Sequence, residues 1–195
     1  METAFDMFYE TEVPEDELIV SRADFSGKIT YVNETFADIS GYEPNELIGQ
    51  PHNVIRHPDM PKSVFAGLWD TIKNGDVWHG YVKNCRKDGG YYWVFAYITA
   101  DYDQRGKIVG YSSFRRKPSR AAIDAIEPVY KLLIDAEKKG GMEASGKLLT
   151  SFLEENKTTY NDLIINLQKI VNEINLMTIF LFRFFYFHFY QPQFH

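Results

Sequence analysis

The stretch Gly49-Gln50-Pro51-His52-Asn53-Val54-Ile55-Arg56-His57-Pro58-Asp59-Met60-Pro61 gathers the residues best suited to chemistry. It holds three prolines, two histidines, an arginine and an aspartate in thirteen residues. Proline fixes φ and lacks an amide donor, so this is neither a plain helix nor a central strand. Arg56, His57 and Asp59 fall where a short turn meets a new helix, a natural place to receive a charged or polar ligand. Arg56 offers a planar fork of donors for a pyrophosphate or a carboxylate. His57 can donate or stack. Asp59 can accept from hydroxyls, or cap the helix that begins near Pro61. Further on, Trp69 lies on an apolar helix face and Trp78 opens a strand-like run. Asn84 follows Trp78 by an even number of residues, so the two share a face in a regular strand. Its amide can donate or accept. No paired carboxylates, metal cluster or nucleophile–base pair stands out, so a binding role is expected rather than an enzyme.

These residues need elements to position them. Residues 18–23 read as a first strand and 24–27 as a turn in which Gly27 can take positive φ. Residues 28–32 alternate polar and apolar, as a half-buried strand does. Asn33 reads as the N-cap of a short helix. Gly41 ends it, Pro44 starts another, and Gly49 ends that one. Within 62–73, Val64, Phe65, Leu68, Trp69 and Ile72 mark one helical face. Strand-like runs follow at 77–86, 91–100 and 108–116, with the hairpin signal Lys87-Asp88-Gly89-Gly90 between the first two. The order predicts an α+β fold: a five-stranded antiparallel sheet with short helices capping one face and enclosing a pocket.

From Ser119 the pattern turns helical, with Ile123, Ile126, Tyr130 and Leu133 in step and Gly140-Gly141 as an interruption. Tyr160, Leu163, Leu167, Ile170, Ile174, Met177 and Leu181 then trace an a/d seam. Such a seam suits a partner helix, a homodimer through this helix, or a helix docked on the domain's own sheet. The expected organisation is an acidic arm over 1–17, a sheet domain over 18–117, a linker helix over 118–139, an amphipathic helix over 142–182 and an aromatic tail over 183–195.

The bulk numbers narrow the class. With 195 residues, 15 Phe and 13 Tyr, the chain can build one ordinary core with additions. A net charge of −6 gives a nucleic-acid role no support. Seven acids and no base occupy the first 17 residues, which reads as a solvated arm. Cys85 is the only cysteine, which excludes an intramolecular disulfide and fits a cytoplasmic location. The run 176–190 would be about 22 Å long as a helix, against a bilayer core of about 30 Å. It contains Arg183 and His188, so it makes a poor membrane span.

The residues Asn33-Glu34-Thr35-Phe36, Ser40-Gly41-Tyr42 and Glu46-Leu47-Ile48-Gly49 resemble the first half of a PAS domain. The resemblance sharpens to PAS domains of the aerotaxis-receptor type at 49–61, at Trp78-His79-Gly80-Tyr81-Val82-Lys83-Asn84 and at 87–94. It extends over about 15–135, including Glu127-Pro128-Val129-Tyr130-Lys131. It implies a PAS fold that holds FAD non-covalently and reads cellular redox state. It implies Trp78 on or near the isoalloxazine and Asn33 near the cofactor; with the residues read above, and Trp69 as core or pocket lining, the expected cofactor-binding set is Asn33, Arg56, His57, Asp59, Trp69, Trp78 and Asn84. The organisation is similar to stand-alone flavin PAS proteins that work with a transmembrane chemoreceptor or HAMP-type partner. Asn84-Cys85-Arg86 is superficially similar to the photoreactive motif of LOV domains. Cys85, however, falls in a strand and out of register with Asn84, so an inert thiol is expected. Two alternatives stay open: a haem PAS gas sensor with His57 or His52 as axial ligand, and a cofactor-free PAS interaction module.

Overall fold

The computed structural model describes residues 9–169. The tail beyond 169, with most of the a/d seam, and the first eight residues lie outside the described residues. The chain divides into two compact units, Met1–Pro118 and Ser119–His195.

The first unit is a five-stranded antiparallel sheet in the order β2-β1-β5-β4-β3, the α+β PAS arrangement expected. Its strands are β1 (Ile19–Asp24), β2 (Ile29–Val32), β3 (Trp78–Cys85), β4 (Tyr91–Tyr102) and β5 (Ile108–Arg116). Helices α1 (Glu34–Ser40), α2 (Pro44–Leu47) and α3 (Lys62–Lys73), with a 3-10 turn at His52–Ile55, are inserted between β2 and β3. Local chemistry sets their ends. The Asn33 side chain caps α1, and Gly41 closes it at φ 72°. Glu43 and Glu46 form a capping box on α2, with Pro44 at its first position. Apolar positions Val64, Leu68 and Ile72 turn the face of α3 inward.

The proline-rich segment spans the sheet from edge to edge. At its start, Gly49 N–H donates to Ile29 O at 2.7 Å and Gln50 O accepts from Ile29 N–H at 2.9 Å, on the free edge of β2. At its end, Arg56 bridges to Asn84 on the free edge of β3. His57 N–H donates to Lys83 O on the same edge at 3.4 Å. The segment therefore pairs with part of each free ladder edge, at Ile29 and at Lys83 and Asn84, and shortens the stretch open to other chains.

The acidic arm departs from the expectation of a solvated tail. Tyr91 N–H donates to Tyr9 O at 3.0 Å, and Thr11 N–H donates to Tyr91 O at 2.8 Å. Val13 is buried. The run of acids masks an apolar residue and a backbone ready to pair.

The second unit holds α4 (Arg120–Glu155) and α5 (Tyr160–Lys169). Gly140 and Gly141 leave helical geometry inside α4, with Gly141 at φ 71°, ψ −173°. Tyr130 and Tyr160 join the two helices through their hydroxyls at 3.3 Å. In α5 the buried residues are Ile164 and Leu167, so its inward stripe runs through 164 rather than Leu163 of the expected seam.

Candidate functional site

Between α3, the proline-rich segment and the cap-side face of the sheet lies a cavity of about 270 Å³. Its size is near the lower end of small-molecule sites, about 300–1,000 Å³. The apolar wall includes Ile55, Phe65, Leu68, Ile72, Val82 and Ile98. These pair a helical face with alternate strand positions, so two flat apolar surfaces oppose each other.

The polar lining comes chiefly from β5 and its neighbours. Tyr111, Ser113 and Arg115 occupy alternate positions of β5 and all line the cavity. Register places Ser21 opposite Ser113 on β1, and Ser21 lines the cavity too. Arg115 is 6% exposed. Its Nη2 donates to Ser21 Oγ at 3.1 Å and meets His52 Nε2 at 3.2 Å. Ser21 Oγ and His52 Nε2 are 2.9 Å apart. With the guanidinium acting only as donor, His52 Nε2 accepts, which leaves the ring proton on Nδ1. Burial and the Arg115 charge lower the His52 pKa to about 3, so the ring is neutral near pH 7. Burial also lowers the Arg115 pKa, to about 10.

Among the described residues, no carboxylate pairs with Arg115. A buried cation without a counter-ion is costly. Three buried polar atoms of the lining, Tyr111 Oη, Ser113 Oγ and Arg115 Nη1, also have no partner among the described residues. All three belong to one strand face. The arrangement can take a planar, largely apolar ligand with a polar edge that carries or develops negative charge.

The residues singled out in the sequence divide into two groups. Arg56, Trp69 and Asn84 line the cavity. The Arg56 guanidinium lies 4.0 Å above the Phe65 ring, and its Nη2 donates to Met60 O at 3.3 Å. Trp69 meets Tyr111 edge-on at 5.4 Å and lies against Gly27, where an added Cβ would come within 2.9 Å of the indole. Asn84 is 4% exposed and lies opposite Tyr92 in the β3–β4 ladder.

Asn33, His57, Asp59 and Trp78 are not among the lining residues. The Asn33 amide is committed to the fold: Oδ1 accepts from Val20 N–H at 2.9 Å and Phe36 N–H at 3.2 Å, and Nδ2 donates to Leu18 O at 2.7 Å. Beyond Arg56 the chain turns round the β3 edge towards Lys83, which alternates with Asn84 and so faces away from the cavity. There Lys83 Nζ donates to Asp59 Oδ2 at 2.9 Å, and His57 Nδ1 accepts from Asp59 N–H at 3.0 Å. Burial, with the nearby Lys83 charge, lowers the His57 pKa to about 4. The expected cap by Asp59 is absent: α3 has Pro61 at its N-cap and no side-chain cap bond. Trp78 shares the cap face with Asn84 by alternation, is fully buried, and lays its ring over Gly80. The Cys85 thiol donates to Arg56 O at 3.6 Å, and burial raises its pKa, which disfavours the reactive thiolate.

Sequence reasoning missed Ser21, Tyr111, Ser113 and Arg115. Alternation along 108–116 puts the last three on one face, but it does not say which face is inside. Among the described residues, no cluster of His, Cys, Asp and Glu could hold a metal ion. Nor is any described helix long and apolar enough to cross a membrane.

Comparison with known proteins agrees with this architecture. Residues 29–115 match the family model described as PAS fold. The chain is 47% identical over 123 residues to the aerotaxis receptor of Escherichia coli (strain K12), covering 63% of this chain and 24% of the receptor. It is 28% identical over 100 residues to the biofilm dispersion protein BdlA of Pseudomonas aeruginosa, covering 48% of this chain and 24% of that protein. The matched region thus spans about a quarter of each relative. A solved light-oxygen-voltage domain, from work on a flavin analogue, superposes with a TM-score of 0.50 at 21% identity, over 63% of this chain and 88% of that one.

Proposed function

We propose that this chain, which carries a PAS domain similar to that of the E. coli aerotaxis receptor, is a redox sensor that holds FAD in the cavity beneath α3. The observation that carries the reading is Arg115, a buried guanidinium that lines the cavity with no carboxylate beside it. A bound flavin supplies a ring that takes up electrons at the cost of charge and protonation changes along its polar edge. The opposed apolar walls suit the flat ring, and the polar face of β5 suits that edge. Asn84 can switch between donor and acceptor as the edge changes. Arg115 stabilises negative charge there while the neutral His52 and Ser21 hold the guanidinium in place. A cavity of this volume would enclose the ring rather than a whole dinucleotide, and Arg56, which lines it, would supply donors to the phosphates.

The signal is a shift between conformations rather than turnover. The chain works in the cytoplasm, and its receiver is a transmembrane chemoreceptor or HAMP-type protein, reached through the helices after Pro118. The kinship with the aerotaxis receptor supports this part. A haem sensor is disfavoured by geometry: His52 Nε2 is engaged by Arg115 and Ser21, and His57 does not line the cavity. A cofactor-free module is disfavoured by the unpartnered polar atoms on β5. The test is the absorbance spectrum of the chain purified from flavin-replete cells, with mass analysis of whatever denaturation releases. Oxidised-flavin bands and one FAD per chain are expected. A colourless protein or a Soret band would sink the proposal.

A further inference from the structure

Tyr92 stands close to the cavity without lining it. It lies opposite Asn84 in the β3–β4 ladder and is fully buried. Alternation along β4 puts it on the same face as Val94 and Ala96, and Ala96 is part of the lining. Asn84 and Arg115 line the cavity too, while Tyr92 itself does not. Its hydroxyl is a buried polar atom with no hydrogen-bond partner among the described residues, which is costly so far from water.

The surroundings of that hydroxyl are polar on the cavity side. Burial raises its pKa, opposed by the charges of Arg115 and Arg86 and by the Asn84 amide, so it stays a neutral phenol near pH 7. Arg86 is already held by Asp88 at 2.7 Å. Arg115 and Asn84 remain, and the three groups differ in what they can do. Arg115 only donates, the Asn84 amide has one donor end and one acceptor end, and a phenol does both. The Arg115 charge orients the phenol dipole, oxygen toward the guanidinium and proton away from it.

We propose that Tyr92 is a positioning residue, a phenol that sets which end of the Asn84 amide meets the ligand. This rests on the flavin reading above. With an acceptor edge in the cavity, Tyr92 O–H donates to Asn84 Oδ1, and Nδ2 donates to the ligand. Negative charge on the ligand offsets the field of Arg115 at the phenol. Tyr92 Oη then accepts from Nδ2, and Oδ1 turns to a ligand edge that has gained a proton. Phenylalanine fills the same space but cannot make the second bond. Without the phenol, the Arg115 charge still draws Oδ1 inward, so the first orientation survives and the reversed one is lost.

Tyr92→Phe in the full chain tests this. Free of flavin, the variant should melt at the temperature of the parent or higher, because it loses only an unpartnered hydroxyl. It should bind oxidised FAD within about threefold of the parent and reduced FAD about tenfold more weakly, the loss of one hydrogen bond in one redox state. That ratio lowers the two-electron potential of the bound flavin by about 30 mV. Equal weakening of both redox states, or an unchanged potential, overturns the proposal and leaves the flavin reading in place. So does a flavin-free variant that melts well below the parent, since the hydroxyl then serves the fold. A parent that takes up no flavin overturns both.

Discussion

Arg115 concentrates the conflict between stability and binding in one side chain. It is buried, holds Ser21 and His52, and has no carboxylate beside it among the described residues. Replacing a buried, uncompensated charge by an apolar group of similar length is often neutral or stabilising. Arg115→Leu is therefore expected to melt at the same temperature as the flavin-free parent or a few degrees higher, since about 1 kcal/mol moves a small domain by roughly 4–8 °C. The same variant should bind FAD at least tenfold more weakly. Paired melting curves and flavin titrations check this, and a variant that binds normally removes Arg115 from the site. The two histidines give a second expectation. In the fold His52 and His57 titrate near 3 and 4, against 6.5 without burial. Between those values the unfolded chain binds more protons, so stability is complete above about pH 6.5 and falls as pH drops. At 1.36 kcal/mol per unit, each ring costs about 2 kcal/mol on going from pH 6.5 to 5. Urea midpoints measured from pH 7 to 5 should fall, and His52→Gln should remove about half of the fall. A flat midpoint would contradict the burial of both neutral rings.

At the level of elements, β3 is where close packing and ligand contact meet. Trp78 is fully buried with its ring over Gly80, whose missing side chain is the space the ring fills. Gly80→Ala would force the indole aside in a packed interior, at a cost of about 1–3 kcal/mol. Chemical denaturation measures this directly. A loss under about 0.5 kcal/mol, typical of surface substitutions, would mean that Trp78 is not held there. Strand and helix order was legible from the sequence because each signal was local: Asn33 as a cap, Gly41 as a stop, the Asp88-Gly89 hairpin, and the apolar face of 62–73. The cavity was only half legible. Trp69 and Asn84 could be read from spacing, because each sits on an element whose inward face is set by its own pattern, and Arg56 from its residue type at the end of the 3-10 turn. Arg115 could not. Its inward position goes with the register of β5 against β1, which pairs Ile19 with Arg115 and Ser21 with Ser113 across a long stretch of chain. Asp59 misled for the opposite reason: position alone suggested a helix cap, while the fold brings Lys83 within 2.9 Å of it from 24 residues away.

On the scale of the whole molecule, every residue that lines the cavity belongs to the unit Met1–Pro118. The PAS fold match covers residues 29–115, all of it inside the unit that holds the cavity. Under the proposed function, reception and output then belong to separate stretches of chain. Flavin binding should therefore survive removal of the second unit. A fragment ending at Pro118 is expected to take up FAD with an affinity within about threefold of the full chain, and to gain about 2.7 kcal/mol of stability at a ligand concentration 100 times the dissociation constant. The arm should matter more to the fragment than its size suggests, since it covers the β4 edge at Tyr91. A fragment that begins at Leu18 should self-associate through that edge where the longer one stays monomeric. Sedimentation of both fragments, with and without FAD, separates the two expectations. Loss of flavin from the folded longer fragment would mean that the helices after Pro118 belong to the site, and the division between reception and output would have to be redrawn.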